Sequence, residues 1–259
     1  MTTPHHPPLK THTLTASGVG LPVSEYGTSY LHVHSLTGRE MVNGLYEYSL
    51  TLRTRDEYGN PVGGFAGMAG YISKATAEQG GSPGSQWDIQ SLIGTQVDIA
   101  IEANGRSIWA NTAEAIDTLT DYLHPNQRNT PKHTTDSNPT SPTSPRIRHI
   151  SGIVTRAQYT GVEGSSALYT LTLRPWVWLL TQTRNSRIYQ RTSPTDIIQS
   201  VLAGYPYRTE WRVTASYPLL DYLCQYNESD YDFVHRLCAE YGLNYWFEHN
   251  EQGHSLIIA

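Results

Sequence analysis

The sequence is poor in lysine, in sulfur and in charge, and each shortage excludes something. Its 259 residues include three Lys against 15 Arg, three Met and two Cys, and only 16% are charged. Cys224 and Cys238 cannot build the disulfide framework of a small secreted scaffold. The N-terminal segment MTTPHHPPLKTHTLTASGVG has no apolar core of the secretory-signal kind. No apolar run approaches the roughly 20 residues that a membrane helix needs. A net charge of −5 argues against a general grip on nucleic acid. These absences predict a reduced, cytosolic, soluble chain. With so few charges, the polar surface must be Thr, Ser, Asn, Gln and Tyr, as is common where surfaces meet other protein. The preference for Arg over Lys points to planar, bidentate contacts.

What is present favours β-structure. There are 29 Thr and 18 Tyr, residue types that suit a pleated, half-buried surface. The length is enough to bury about 70–75% of the unfolded surface. Strand signals begin at SYLHVHSL (29–36). They sharpen at LYEYSLTLR (45–53), where Tyr46, Tyr48, Leu50 and Leu52 alternate with polar neighbours. Val97, Ile99 and Ile101 alternate in the same way. RHISGIVTRAQYT and SALYTLTLRP, joined by GVEGSS (161–166), predict a long hairpin with Tyr169, Leu171 and Leu173 on one face. Residues 1–28 read as a flexible tail, 54–90 as Gly-rich and irregular, and 112–123 as a short helical pattern. Residues 125–145 have no apolar side chain and five prolines, which predicts a disordered loop.

After PWVWLL the period changes from two to 3.6. TSPTDIIQSVLAG predicts a helix with Ser193 as N-cap, Pro194 at the first position, Asp196 in the first turn and Gly204 at the end. A second helix lies in CQYNESDYDFVHRLCAEYGLNYWFEH (224–249). Asn227 or Ser229 caps it, Val234, Leu237, Cys238 and Tyr241 form its apolar stripe, and Gly242 closes it. Two strands follow, LNYWFEH and HSLIIA. The stop in a strand suggests a fragment of a longer protein.

The same stretch is dense in groups that could do chemistry. Glu228, Asp230 and Asp232 fall in or beside the helix's first turn, where negative charge is favoured by about 0.3–1 kcal/mol. A glycosidase would need two carboxylates across one cleft, which density alone does not supply. Cys238 lies on the apolar stripe, and His235 projects from another face, so a cysteine nucleophile lacks its base. His32 and His34 are two apart on a strand and could begin a metal site with no third ligand fixed; His5 and His6 in the tail are a weaker pair. LRPWVWLLTQTRNSRIYQR carries Arg174, Arg184, Arg187 and Arg191 with Trp176 and Trp178 and no acid. That mixture can stack single-stranded nucleic acid, but the negative chain favours a protein interface, with a sugar-binding platform ranked last.

Three ordered blocks, LYTLTLRPWVWLLTQTRNSRIYQ, SPTDIIQSVL and QYNESDYDFVHRLCAEYGLNYWFEH, resemble the N-terminal hub region of type VI secretion spike proteins of the valine-glycine-repeat (VgrG) family. That region is similar to the central baseplate hub of contractile-tailed phages. The resemblance covers 145–259 and extends faintly to LTGRE and LYEYSLTL. It implies a mainly β (α+β) chain: a first hub-type β-barrel over 29–180, with insertions at 54–94 and 125–145, and a flanking helix–strand domain of two helices plus strands over 181–259, truncated at its C-terminal end. It further implies a trimer in the full-length protein, docking onto a hexameric tube of the haemolysin-coregulated (Hcp) type, baseplate partners, a possible effector, support for a needle, assembly in the cytoplasm and export through the type VI apparatus without a signal peptide. It carries over no catalytic residue, no cofactor, no metal, no nucleic acid and no membrane insertion. Arg174, Trp176, Trp178, Arg184, Arg187 and Arg191 are expected at an interface. Asn227, Ser229, Asp230, Phe233, Val234, Leu237, Tyr241, Gly242 and Trp246 are expected to be structural. The competing expectation is a glycan-active enzyme or sugar-binding domain acting on cell wall, using carboxylates of 228–248.

Overall fold

The computed structural model describes residues 12–23, 29–55, 89–103 and 146–259. The chain divides into two compact units, residues 1–13 with 101–148, and residues 14–100 with 149–259. Of the first unit the described residues are strand ends only; the second carries all other described structure. The helical pattern at 112–123, the loop at 125–145 and most of the 54–94 insertion lie outside the described residues.

Eleven strands are described: β1 His12–Gly18, β2 Leu31–Arg39, β3 Glu47–Thr54, β4 Gln96–Ala103, β5 Arg146–Glu163, β6 Ser166–Arg174, β7 Arg184–Tyr189, β8 Thr209–Trp211, β9 Leu223–Ser229, β10 Tyr245–Asn250 and β11 Gly253–Ile258. The first six form one sheet in the order β1-β4-β5-β6-β3-β2. β1 and β2 stand at opposite ends of that order, and among the described residues no pairing closes the sheet into a barrel. Alternation in β3 works as its sequence predicts: Tyr48, Leu50, Leu52 and Thr54 are buried, while Glu47, Ser49, Thr51 and Arg53 face outward. The β5–β6 hairpin is also as predicted, with Tyr169, Leu171 and Leu173 buried. Gly38 sits opposite Tyr48 on β2, and any Cβ there would meet the Tyr48 ring at 2.0 Å.

Two features depart from the sequence reading. The expected tail at 1–28 contains β1, whose Thr-rich run lies beside β4; a Cβ on Gly18 would come within 2.6 Å of the Gln96 carbonyl, and Leu21 just beyond is buried. The boundary expected at 180/181 falls inside a 3₁₀ helix, Trp176–Gln182, which lies in one hydrophobic core with the helices that follow.

Helix α1, Pro194–Leu202, has the predicted start: the Ser193 hydroxyl accepts from Asp196 N–H and donates to its carboxylate. Its C-cap is Ala203, one residue before the glycine expected there. Helix α2, Asp230–Tyr241, is capped by Ser229, whose hydroxyl accepts from Asp232 N–H at 3.0 Å. It ends at Gly242, held left-handed at φ 72. Asn227 is not the cap; it sits left-handed at φ 48 inside β9. Ile197, Ile198, Phe233, Leu237, Trp176, Leu180, Leu256 and Ile258 meet in one core. Each such side chain contributes about 1.5–3 kcal/mol by leaving water. β11 is the middle strand of a three-stranded sheet, antiparallel to β10 and parallel to β8, and all six of its residues are buried.

Candidate functional site

The densest polar cluster centres on Asp230, the first residue of α2. β7 and β9 form an antiparallel ribbon with a bulge between Asn185 and Arg187, and the ribbon's register brings Asn185, Arg187 and Gln225 beside the start of the helix. Oδ1 of Asp230 accepts from Asn185 Nδ2 at 2.9 Å, Arg187 Nη1 at 2.9 Å and Gln225 Nε2 at 2.8 Å. Oδ2 accepts from Tyr205 Oη at 3.1 Å and Arg187 Nη2 at 3.4 Å. The carboxylate is 2% exposed. Burial pushes its pKa up, but the hydrogen bonds from Gln225 and Asn185, the Arg187 charge and the Tyr205 hydroxyl outweigh that and hold it below the usual carboxylate range. Five donors occupy about four lone-pair sites, which leaves none to take or deliver a proton. Asp230 is therefore more than the dipole-matched cap expected of it: it joins β7, β9, α2 and the segment after α1.

The remaining acids of the stretch are also engaged. Asp232 accepts from the Ser229 hydroxyl at 2.7 Å, and Glu228 pairs with Arg236 at 2.7 Å. Arg212 grips Glu248 through both oxygens at 2.7 and 2.9 Å, which holds that carboxyl below its usual range, and lies over the Trp246 ring. Phe233, Val234 and Leu237 are buried, and Tyr241 is half-buried. Cys238 is 1% exposed, and burial pushes its thiol up to about 12, which suits a small hydrophobe and not a nucleophile. His235 Nδ1 meets Tyr245 Oη at 2.9 Å.

Of the six residues expected at an interface, Trp176 lies in the core and the other five are at least partly exposed. Trp176 is fully buried, stacked on Tyr207 at an interplanar angle of 9°, so its ring belongs to the core. The irregular PWVWLL segment carries no period that separates an inward Trp from an outward one. Trp178 is half-buried beneath the Arg174 guanidinium. Arg174 also pairs with Glu47 across the sheet and donates to Thr155. Arg187 is spent on Asp230, and Arg184 donates to the Asn227 carbonyl at 2.9 Å. Arg191 is exposed with φ 52.

A second cluster has no counterpart in the sequence reading. Ser151 of β5 donates its N–H to His249 Nδ1 at 3.0 Å, accepts from Tyr46 Oη at its carbonyl at 2.5 Å, and meets His254 Nδ1 through its hydroxyl at 3.3 Å. Trp176 N–H donates to His254 Nε2 at 2.9 Å. That bond assigns the His254 proton to Nδ1. Burial, and then the neighbouring His249, lower the His254 pKa to about 3, so the ring is neutral. His249 and Ser151 lie on elements about a hundred residues apart in sequence, and no local spacing signals their meeting. His32 and His34 both stand on β2. The β2 bulge at His34 interrupts the alternation that would align them, His34 lies 3.6 Å from Glu163, and Arg55 and Arg53 stand near His32. Among the described residues no group of three metal-ligating side chains converges, and no helix is long and apolar enough to cross a membrane.

A profile of the family described as phage tail baseplate hub (GPD) matches residues 74–259. The type VI secretion system spike proteins VgrG1b and VgrG1a of Pseudomonas aeruginosa are 39% and 38% identical over 113 residues, 43% of this chain. The actin cross-linking toxin VgrG1 of Vibrio cholerae is 32% identical over 114 residues. These matches span 15%, 18% and 10% of the relatives' own lengths. Among solved structures, an E. coli component of the type VI secretion system with structural similarity to T4 bacteriophage tail proteins superposes with a TM-score of 0.56 at 16% identity, over 94% of this chain and 48% of that one. The Francisella PdpA-VgrG complex gives 0.52 at 9% identity, over 96% and 31%. At such identities the likeness is one of fold.

Proposed function

The chain belongs to the phage tail baseplate hub (GPD) family, and from that premise we propose that it is the structural hub module of a type VI secretion spike. In this reading the six-stranded sheet is the greater part of the first hub barrel, the module docks on a hexameric Hcp-type tube, and the full-length protein is a homotrimer that supports a needle and meets baseplate proteins. The observation that carries the reading is the extent of the match, which includes every described element from β4 to β11. The chemistry agrees with it. The buried polar groups of 224–249 are tied to one another, as a body that passes force without deforming requires. Export through the type VI apparatus belongs to the same proposal.

Against the glycan-active reading, Glu228, Asp230, Asp232 and Glu248 are each held by a cation or a cap rather than left free for the two roles that glycoside hydrolysis needs. Cross-linking mass spectrometry of the chain mixed with hexameric tube rings tests the hub proposal. Reproducible cross-links from one face are expected; their absence, together with peptidoglycan turnover that Glu248→Gln abolishes, would replace it with the enzyme.

A further inference from the structure

We propose that the solvent face of β2, β3, β6 and β5 is a docking surface for a protein partner whose surface is rich in Asp and Glu. The register defines this face. Arg39 lies opposite Glu47, Ser49 opposite Thr172, and Thr172 opposite Arg156, while Arg53 follows Glu47 and Ser49 by even steps along β3. All of them therefore point away from the buried Tyr48, Leu50 and Leu52.

Four arginines among the described residues engage no acid or acceptor: Arg39, Arg53, Arg156 and Arg191. Three of the four are on this one face. Arg39 and Arg156 are exposed; Arg53 is half-buried, and its Nε is shielded from water with no acceptor. The acids of the same four strands add little to offset them. Glu47 is taken by Arg174, and Glu163 lies at the hairpin tip beside His34. Between the guanidinia runs a hydroxyl ladder, Thr51 to Thr170 to Thr160, each step 3.4 Å. Beside Arg39 a hollow of about 400 Å³ is lined in part by Thr37, Ser49, Arg174 and Glu47, and because Arg174 neutralises Glu47 the Arg39 side is where an incoming carboxylate would sit.

These observations select the partner. The face is about 14 Å across three strand spacings and about 20 Å along β3 from Glu47 to Arg53, which suits a protein patch better than a small ion. Guanidinia left unpaired on a chain of net charge −5 are a local positive field, and they reward planar carboxylates. Nucleic acid is disfavoured because the chain as a whole repels a long polyanion. A footprint of this size is below that of a standard stable interface, so the contact is weak alone and salt-dependent. The hub reading enters only in making the partner a protein.

Fluorescence anisotropy of a labelled polyglutamate peptide tests the proposal, read at about 0.01 M and about 0.15 M ionic strength, where screening lengths are about 30 and 8 Å. Wild type should bind at low salt and weaken at high salt. R39Q/R156Q should weaken binding several-fold and R39Q/R53Q/R156Q about tenfold, as lost rim charges do, with unchanged melting temperatures. R191Q should bind as wild type. Equal binding by all variants, or equal loss in R191Q, overturns the assignment. So does single-stranded DNA bound as tightly through the same arginines. Arginine-dependent polyglutamate binding without cross-links to tube rings would sink the hub reading and leave this face standing; cross-links that survive the triple variant, with no polyglutamate binding, would do the reverse.

Discussion

At the scale of single residues, the molecule's acid sensitivity is written into two buried groups of opposite kind. Asp230 has a folded pKa below its unfolded value, so it contributes stability above the ordinary carboxylate range, and this is lost as pH falls through the folded value. His254 also has a depressed pKa, about 3 against 6.5 unfolded. Because the unfolded chain takes up the proton first, stability falls as pH drops below 6.5, by about 1.4 kcal/mol per pH unit, until about 3. Thermal midpoints measured between pH 7 and 4 should therefore decline, and His254→Gln should flatten that decline while lowering the midpoint at pH 7. Asp230→Ala removes the acceptor from Arg187, Asn185, Gln225 and Tyr205 together. It should cost about 3–5 kcal/mol in denaturant unfolding; a loss under about 1 kcal/mol would mean that water replaces the carboxylate and that the cluster does not brace the fold.

At the scale of elements, helix ends were the most readable part. Ser193, Pro194 and Asp196 announce α1 because capping is local, and Ser229 and Gly242 bracket α2 for the same reason. Ser229→Ala should lower stability by about 1 kcal/mol, as should Gly242→Ala, which forces a Cβ into left-handed backbone; paired urea titrations would show both. Gly38→Ala should cost more than either, since Tyr48 must leave its place across the β2–β3 pair, and a value below the Gly242 cost would show that the ring moves freely. Other features are legible only in three dimensions. β1 looks like a tail until β4 is beside it, and β4 comes some eighty residues later. The donors that converge on Asp230 come from residues 185, 187, 205 and 225, which no short window contains. Trp176 reads as an interface aromatic because a 3₁₀ segment has no period to show which side is inward. The bulge at His34 re-aims a side chain that alternation places beside His32.

At the scale of the whole molecule, self-association is expected to be weak. The exposed apolar side chains Ile188, Leu219, Tyr222 and Tyr226 lie along and just before the β7–β9 ribbon. A lasting interface needs roughly 1,000 Å² and must offset several kcal/mol of lost freedom. Light scattering coupled to size exclusion at micromolar concentration should give a mass near 29.0 kDa; a stable trimer would show that this chain carries the trimer contacts unaided. The three-stranded sheet has a further consequence, for the order of events during synthesis. Among the described residues β8 has one neighbour, the parallel strand β11, which is made after α2 and β10. Until β11 leaves the ribosome, β8 has no ladder to join, and the core around Ile197, Phe233 and Leu237 lacks Leu256 and Ile258. Pairing over that separation carries the closure cost of a long loop and is slow. The two helices can form early, but they stay sticky until then. A nascent chain stalled between residues 242 and 252 is expected to expose this half-built core, and photo-cross-linking it to a ribosome-bound chaperone more strongly than the full-length chain would show it.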